Sequence, residues 1–250
     1  VPALLQGLMY CVAQLGLTAS SLQFIAVGGA PVSTTLLTQA EQLGLPVFQG
    51  YGMTECGSVV CLNTPADNRP GSVGRPLPHI SVRVDEQGQI VIGNIRFAGY
   101  IGQADSSGLH EWPSGDLGRV DDNGYVYITA RQHSAYSTAY GRNVSPEWVE
   151  SELDSAPIIA QSSVFGEGKK HNIAVIVPAS ANTPDNEIRS SIEQANARLP
   201  DYARIANWVR AEQPFTTQNQ QRAPAGSLRR ERIYLAYQHR IEPLFSGTQA

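Results

Sequence analysis

A chain of 250 residues with 18 basic and 22 acidic side chains carries a formal charge of −4. That balance does not suggest a nucleic-acid partner, and no apolar run is long enough to cross a bilayer. The length suffices for one sizeable core or two smaller ones. Cys11, Cys56 and Cys61 form no C-x-x-C pair, which argues against a disulfide framework or a structural zinc site and for a reducing, cytoplasmic setting. Val1-Pro2-Ala3 lacks the basic start of a secretory signal and an initiator methionine, as expected of a processed product or a piece of a longer chain.

Leu4, Leu5, Leu8, Met9, Val12 and Leu15 recur at helical spacing and predict a helix over 3–15. The apolar run 24–27 predicts a buried strand feeding Gly28-Gly29. Ser33 is an N-cap for a second helix over 34–43, and 45–48 reads as another buried strand. Strand, helix and strand in that order imply parallel pairing in an α/β layer. From 80 to 95 the pattern alternates in β fashion around the turn Asp85-Glu86-Gln87-Gly88, and 120–129 repeats it around Asp122-Asn123-Gly124. This stretch predicts a small β-rich subdomain.

Near Arg131-Gln132-His133-Ser134 the pattern restarts. Ser145-Pro146-Glu147 is a helix start, with a capping hydroxyl, a first-turn proline and an acidic group at the positive helix end. Strands follow at 162–165 and 172–178, a helix opens at Thr183-Pro184-Asp185, a strand lies around Trp208-Val209, and a basic helix begins at Leu228. The order predicts a small α+β domain after the α/β part, with the boundary dividing 1–131 from 132–250.

Three groups of residues point to chemistry. Gly28-Gly29-Ala30-Pro31 joins strand to helix, where glycines either admit a flat ligand or make a tight turn. The run from Gln49 to Gly57 reads as a glycine-rich turn through Gly52 and Met53. In it Tyr51 offers a ring for a base, Thr54 a hydroxyl for a phosphate oxygen, and Glu55 a hard oxygen ligand for magnesium. Far downstream, Ser114-Gly115-Asp116 and Arg131 supply what a nucleotide's sugar needs. Each has a plainer reading: Asp116 as a turn aspartate, Arg131 as a surface arginine, Cys56 as a small pocket residue instead of a reactive thiol. His79, His110, His171 and His239 have no metal-ligand spacing.

The run Tyr51-Gly52-Met53-Thr54-Glu55, the turn Gly28-Gly29-Ala30-Pro31, Ser114-Gly115-Asp116-Leu117-Gly118, Arg131, and Gly141-Arg142-Asn143-Val144-Ser145-Pro146 occur in an order that resembles the adenylate-forming superfamily. The stretch from Ser163 to Pro178 looks most like its long-chain fatty acyl-CoA synthetase branch. The resemblance implies the C-terminal part of the large adenylate-forming domain, comprising a parallel α/β layer and a small β-rich subdomain, followed by a small mobile α+β domain. It implies a ligase that activates a fatty or other apolar carboxylate with ATP and Mg2+, releases pyrophosphate, and passes the acyl group from AMP to a thiol of coenzyme A or a carrier protein. Gly28, Gly29, Ala30, Pro31 and Tyr51 would border the adenine, with Gly52 and Met53 beside it. Thr54 would contact the α-phosphate, Glu55 would hold the metal, and Asp116 would accept from both ribose hydroxyls with Arg131 as a nearby donor. His133 falls at the hinge position, and Gly141 would line the thiol's approach.

Two departures qualify the resemblance. The family's phosphate loop, which normally lies upstream of the Tyr51–Glu55 run, is not in this sequence, so a portion of a longer enzyme or completion by another chain is expected. The family's late lysine, set in Thr-x-x-Gly-Lys-x-x-Arg, corresponds to Ser227 in Ala223-Pro224-Ala225-Gly226-Ser227-Leu228-Arg229-Arg230, and the chain's only lysines are Lys169 and Lys170. Losing one preorganised donor typically costs about 10²–10³ in rate. A weak ligase and a non-catalytic module that binds AMP or acyl-adenylate are therefore both open readings.

Overall fold

The computed structural model describes residues 1–18, 20–95, 97, 99–101, 110–224 and 226–246, so Ala225 of the 223–230 stretch lies outside the described residues. The chain divides into two compact units, Val1–His133 and Ser134–Ala250.

The first unit opens with α1 (Pro2–Leu15), β1 (Ile25–Val27), α2 (Thr34–Gln42) and β2 (Val47–Tyr51). The Ser33 hydroxyl accepts from the Leu36 amide at 3.2 Å and caps α2, as its position in the sequence suggests. β1 and β2 pair in parallel, and β3 (Cys61–Leu62) and β4 (Arg75–Pro76) extend the sheet antiparallel in the order β1-β2-β3-β4. Leu5, Met9 and Val12 of α1 bury against Val27, Leu36, Ala40 and Leu45. Leu4 and Leu15 point away, at 74% and 67% exposure. Ile25, Val27 and Val47 face the helices, so Phe24 and Phe48 alternate to the other face, where their rings stack 5.2 Å apart.

A second sheet in this unit is wholly antiparallel: β5 (Ser81–Val84), β6 (Gln89–Gly93), β7 (Glu111–Val120) and β8 (Val126–Arg131), in that order. The same device closes two of its hairpins. Asp85 Oδ1 accepts from the amides of Gln87 and Gln89, and Asp121 Oδ1 accepts from those of Asn123 and Tyr125. The second turn therefore starts at Asp121, one residue before the sequence signal. Ile90, Ile92 and Val126 are fully buried and pack with Val60, Cys61 and Val73, so the two sheets share a core.

The second unit contains β9 (Tyr136–Ser137), β10 (Asn143–Val144), α3 (Pro146–Leu153), β11 (Ile159–Phe165), β12 (Asn172–Pro178), α4 (Asp185–Arg198), β13 (Ile205–Arg210) and α5 (Arg230–Phe245). β12 is central, antiparallel to β11 and parallel to β13. Such a strand is covered on both faces and reads as an unbroken apolar run, here Ile173-Ala174-Val175-Ile176-Val177. Ala174 and Ile176 face the core formed with α3 and α4, and Ile173, Val175 and Val177 face the one formed with α5.

A charged cluster ties these layers. Glu150 on α3 is 6% exposed. It accepts from the Val164 amide at 2.8 Å and from the Arg230 guanidinium at 2.6 Å, and Arg230 also reaches Glu147 at 3.2 Å. Burial pushes the Glu150 carboxyl up to about 8, with Arg230 and the Val164 amide working against the shift. The folded state then holds this proton more tightly than the unfolded chain does. The stability contributed here is greatest below the ordinary carboxyl range and declines as pH rises toward 8. Glu150→Gln should flatten that decline: the difference in urea midpoint between about pH 5 and about pH 8 shrinks in the variant. An unchanged difference would show that this carboxyl does not set it.

Candidate functional site

The site begins on β2. The sequence reading places Gln49-Gly50-Tyr51 in a turn, but these residues are strand. Gly50 pairs with Leu62 and Tyr51 with Cys61 on β3, because the apolar run from Leu45 has a partner on each side. The turn starts only at Thr54–Cys56, a single 3-10 turn that closes at Gly57. Two glycines are required by the protein's own backbone. A Cβ on Gly52 would lie 1.6 Å from the Ser58 carbonyl oxygen, and one on Gly28 would lie 2.7 Å from that of Gly50. Gly28 is thus fixed by its closeness to β2, whatever else approaches it. Gly29, Ala30 and Pro31 form the exposed connection from β1 to α2.

The second half of the site lies on β7 and β8. The Ser114 hydroxyl donates to the Ile90 carbonyl at 2.7 Å and accepts from the Asp116 amide at 3.0 Å. Between them Gly115 has φ +75°, and its carbonyl accepts from the Gln132 amide at 2.8 Å. Counted from the Asp121 turn in uniform register, Asp116 would face Ala130. A one-residue shift between Leu117 and Gly118 sets it opposite Arg131 instead.

Here remote segments meet. The Tyr51 hydroxyl donates to Asp116 Oδ2 at 2.6 Å, across 65 positions of sequence. Arg131 Nε lies 2.8 Å from Asp116 Oδ1. The Asp116 side chain is 5% exposed while that of Arg131 is 56% exposed, so the guanidinium is the solvent-facing partner of the pair. Burial first, then the charge of Asp116 and its hydrogen bond, raise the Tyr51 phenol far above its ordinary value. Tyr51 is therefore a donor across the physiological range.

Glu55 sits apart from this pair in its hydrogen bonding, accepting from the Tyr100 hydroxyl. Sequence spacing gave no sign of that contact. Its trace is the aromatic group Phe97, Tyr100 and Trp112, whose rings meet edge to face at 4.9 to 6.1 Å. Glu55, Cys56, His79, Ile80 and Asn94 line a surface pocket of about 430 Å³. Burial, then the Glu55 charge, push the Cys56 thiol up to about 11. It is a neutral pocket residue at physiological pH and no activated nucleophile. Met53 packs on the core shared by the two sheets, and Thr54 is exposed.

His133 is exposed and is the last residue of the first unit. Gly141 and Ser227 belong to the second. Gly141 closes the turn between β9 and β10, its amide 2.9 Å from the Thr138 carbonyl. Ser227 is exposed in the loop before α5, where Arg222 Nε donates to the Gly226 carbonyl at 2.8 Å. That bond turns Arg222 back onto its own loop.

The donor set fits the expected groups. Asp116 accepts from Tyr51 and lies against Arg131, and a carboxylate is the acceptor type that sugar hydroxyls need. Among the described residues no three His, Cys, Asp or Glu side chains gather into a metal cage. Glu55 alone suits magnesium, which keeps its waters and binds through one or two carboxylates plus substrate phosphates.

A family model for AMP-binding enzymes matches residues 1–102, and one for the AMP-binding enzyme C-terminal domain matches 136–249. The chain belongs to the AMP-binding enzyme family. It is 28% identical over 247 residues to the long-chain-fatty-acid–CoA ligase FadD15 of Mycobacterium bovis, covering 88% of this chain and 41% of that ligase. It is 30% identical over 203 residues to the 2-succinylbenzoate–CoA ligase of Bacillus cytotoxicus, covering 72% of this chain and 42% of the relative. Among solved structures, o-succinylbenzoate-CoA synthetase (MenE) from Bacillus subtilis, in complex with the acyl-adenylate intermediate OSB-AMP, superposes with a TM-score of 0.71 at 25% identity. That match covers 91% of this chain and 49% of MenE. The chain thus spans less than half the length of these AMP-binding relatives.

The Tyr51–Asp116 bond joins the two sheets at a buried carboxylate. Tyr51→Phe should lower unfolding stability by about 1.5–3 kcal/mol, the worth of a hydrogen bond to a charged group, as read from urea denaturation. A loss below about 0.5 kcal/mol would show that water replaces the phenol at no cost.

Proposed function

We propose that this chain forms the C-terminal portion of an AMP-forming acid–thiol ligase of the acyl-CoA synthetase kind. The single observation that carries the reading is the convergence of Tyr51 and Arg131 on the carboxylate of Asp116. In this reading Asp116 accepts from the two ribose hydroxyls, Arg131 donates near the sugar, and Tyr51, with Gly28, Gly29, Ala30 and Pro31, borders the base. Gly52 and Met53 shape the turn that sets Thr54 toward the α-phosphate. Glu55 is the residue that would hold magnesium, whose charge, when bound, neutralises phosphate oxygens.

Residues 1–131 would be the nucleotide-bearing part and 132–250 the mobile domain, with His133 at the hinge and Gly141 beside the thiol's path. The division of the chain after His133 supports this. The substrates would be a fatty or other apolar acid and coenzyme A or a carrier protein, in the cytoplasm. The CoA-ligase relatives and three free cysteines support these assignments. Exposed Leu4, Leu15 and Phe24 support a further part of the ligase fold packing here, from the same polypeptide or another. Among the described residues no helix is long and apolar enough to cross a membrane.

Ser227 favours a second reading, a non-catalytic module that keeps AMP affinity. The two separate in a pyrophosphate-release assay over fatty and aryl acids, with the remaining part of the ligase fold supplied. The ligase reading expects turnover, and a rise of about 10²–10³ in the adenylation rate for Ser227→Lys. AMP binding without turnover in either protein would favour the binding module.

A further inference from the structure

The Tyr100 hydroxyl donates to Glu55 Oε1 across 45 positions of sequence. Its ring is packed edge to face on Phe97 at 5.0 Å and on Trp112 at 6.1 Å, and Phe97 meets Trp112 at 4.9 Å. Trp112 belongs to β7 and pairs with Ile92 on β6. The phenol is thus mounted on the antiparallel sheet, while Glu55 lies on the 3-10 turn that follows β2. Glu55 is half-buried there, and holding one oxygen of its carboxylate restricts which way the other faces.

We propose that Tyr100 is a positioning residue for the metal-ligating carboxylate: it holds Glu55 Oε1 and presents Oε2 to the cation that accompanies the nucleotide. The inference rests on the ligase reading and assigns its metal site a second residue. It separates two jobs within one side chain. The ring serves packing, and the hydroxyl serves Glu55. Partners that orient a ligand in this way are commonly worth about ten- to a hundredfold in metal affinity.

The test uses the full chain with Mn2+ as the probe. Affinities for Mn2+–ATP and for metal-free AMP are measured by calorimetry, with the electron paramagnetic resonance spectrum of bound Mn2+ as a second readout. Three proteins are compared: the unaltered chain, Tyr100→Phe and Tyr100→Leu. Tyr100→Phe keeps the ring, so it should leave AMP affinity within about twofold. It should weaken Mn2+–ATP by about tenfold and change the bound-Mn2+ spectrum. If Tyr100→Phe matches the unaltered chain in both affinities and in the spectrum while Tyr100→Leu loses both, the residue only packs and the proposal fails. Equal losses of AMP and Mn2+–ATP in Tyr100→Phe would also overturn it. If the unaltered chain binds neither ligand, the ligase reading itself falls and this assignment falls with it. AMP binding with no metal-specific effect sinks only the assignment.

Discussion

The carboxylate of Asp116 is held between the Tyr51 hydroxyl and the Arg131 guanidinium with little access to water. A buried charge in that position is tolerated only while its partners stay in place, because desolvation without them costs several kcal/mol. The requirement reaches into both sheets of the first unit. β2 must end with its tyrosine beside β7, β7 must turn through the left-handed Gly115 just before Asp116, and the β7–β8 register must shift between Leu117 and Gly118 to set Arg131 opposite. Ser114 secures this segment from within, bonding to Ile90 on one side and to the Asp116 amide on the other. Each of these features is a local departure from ideal sheet geometry, and together they aim one carboxylate.

The same arrangement shows how an acidic side chain is accommodated with almost no exposure. Tyr51 supplies a neutral donor from the buried side, and Arg131 supplies charge from the exposed side. Opposite charge and hydrogen bonding to the ionised form both favour the carboxylate over the acid. Tyr51 and Arg131 set the orientation of that acceptor. An acceptor so fixed costs an incoming donor less freedom than a mobile surface aspartate would.

Much of this was legible in the sequence. The helices at 3–15 and 34–43 and the parallel pair they frame follow from 3.6-residue spacing and short apolar runs, and the caps at Ser33 and Ser145 from their hydroxyls. The hairpins announced themselves through Asp and Gly. Pairing across long separations was not legible. Nothing in the spacing shows that Tyr51 bonds Asp116, and a register counted from the turn sets the wrong residue opposite it, because bulges leave no periodic trace. The short pair β9 and β10 around Gly141 is too brief for a period-two signal. Tyr100 was invisible as a partner of Glu55, since only packed rings fix where its hydroxyl goes. Glycines drew attention as ligand-approach points, whereas Gly28 and Gly52 answer first to backbone crowding within the chain.

The ligase reading requires Asp116 to act as the acceptor for a nucleotide's sugar. The most direct test is calorimetric titration of the chain with AMP and with its 2′,3′-dideoxy analogue, which keeps base and phosphate and lacks both hydroxyl donors. The account predicts that AMP binds and that the analogue binds at least about tenfold more weakly, as expected when hydrogen bonds to a charged acceptor are lost. Equal affinity for the two would contradict it.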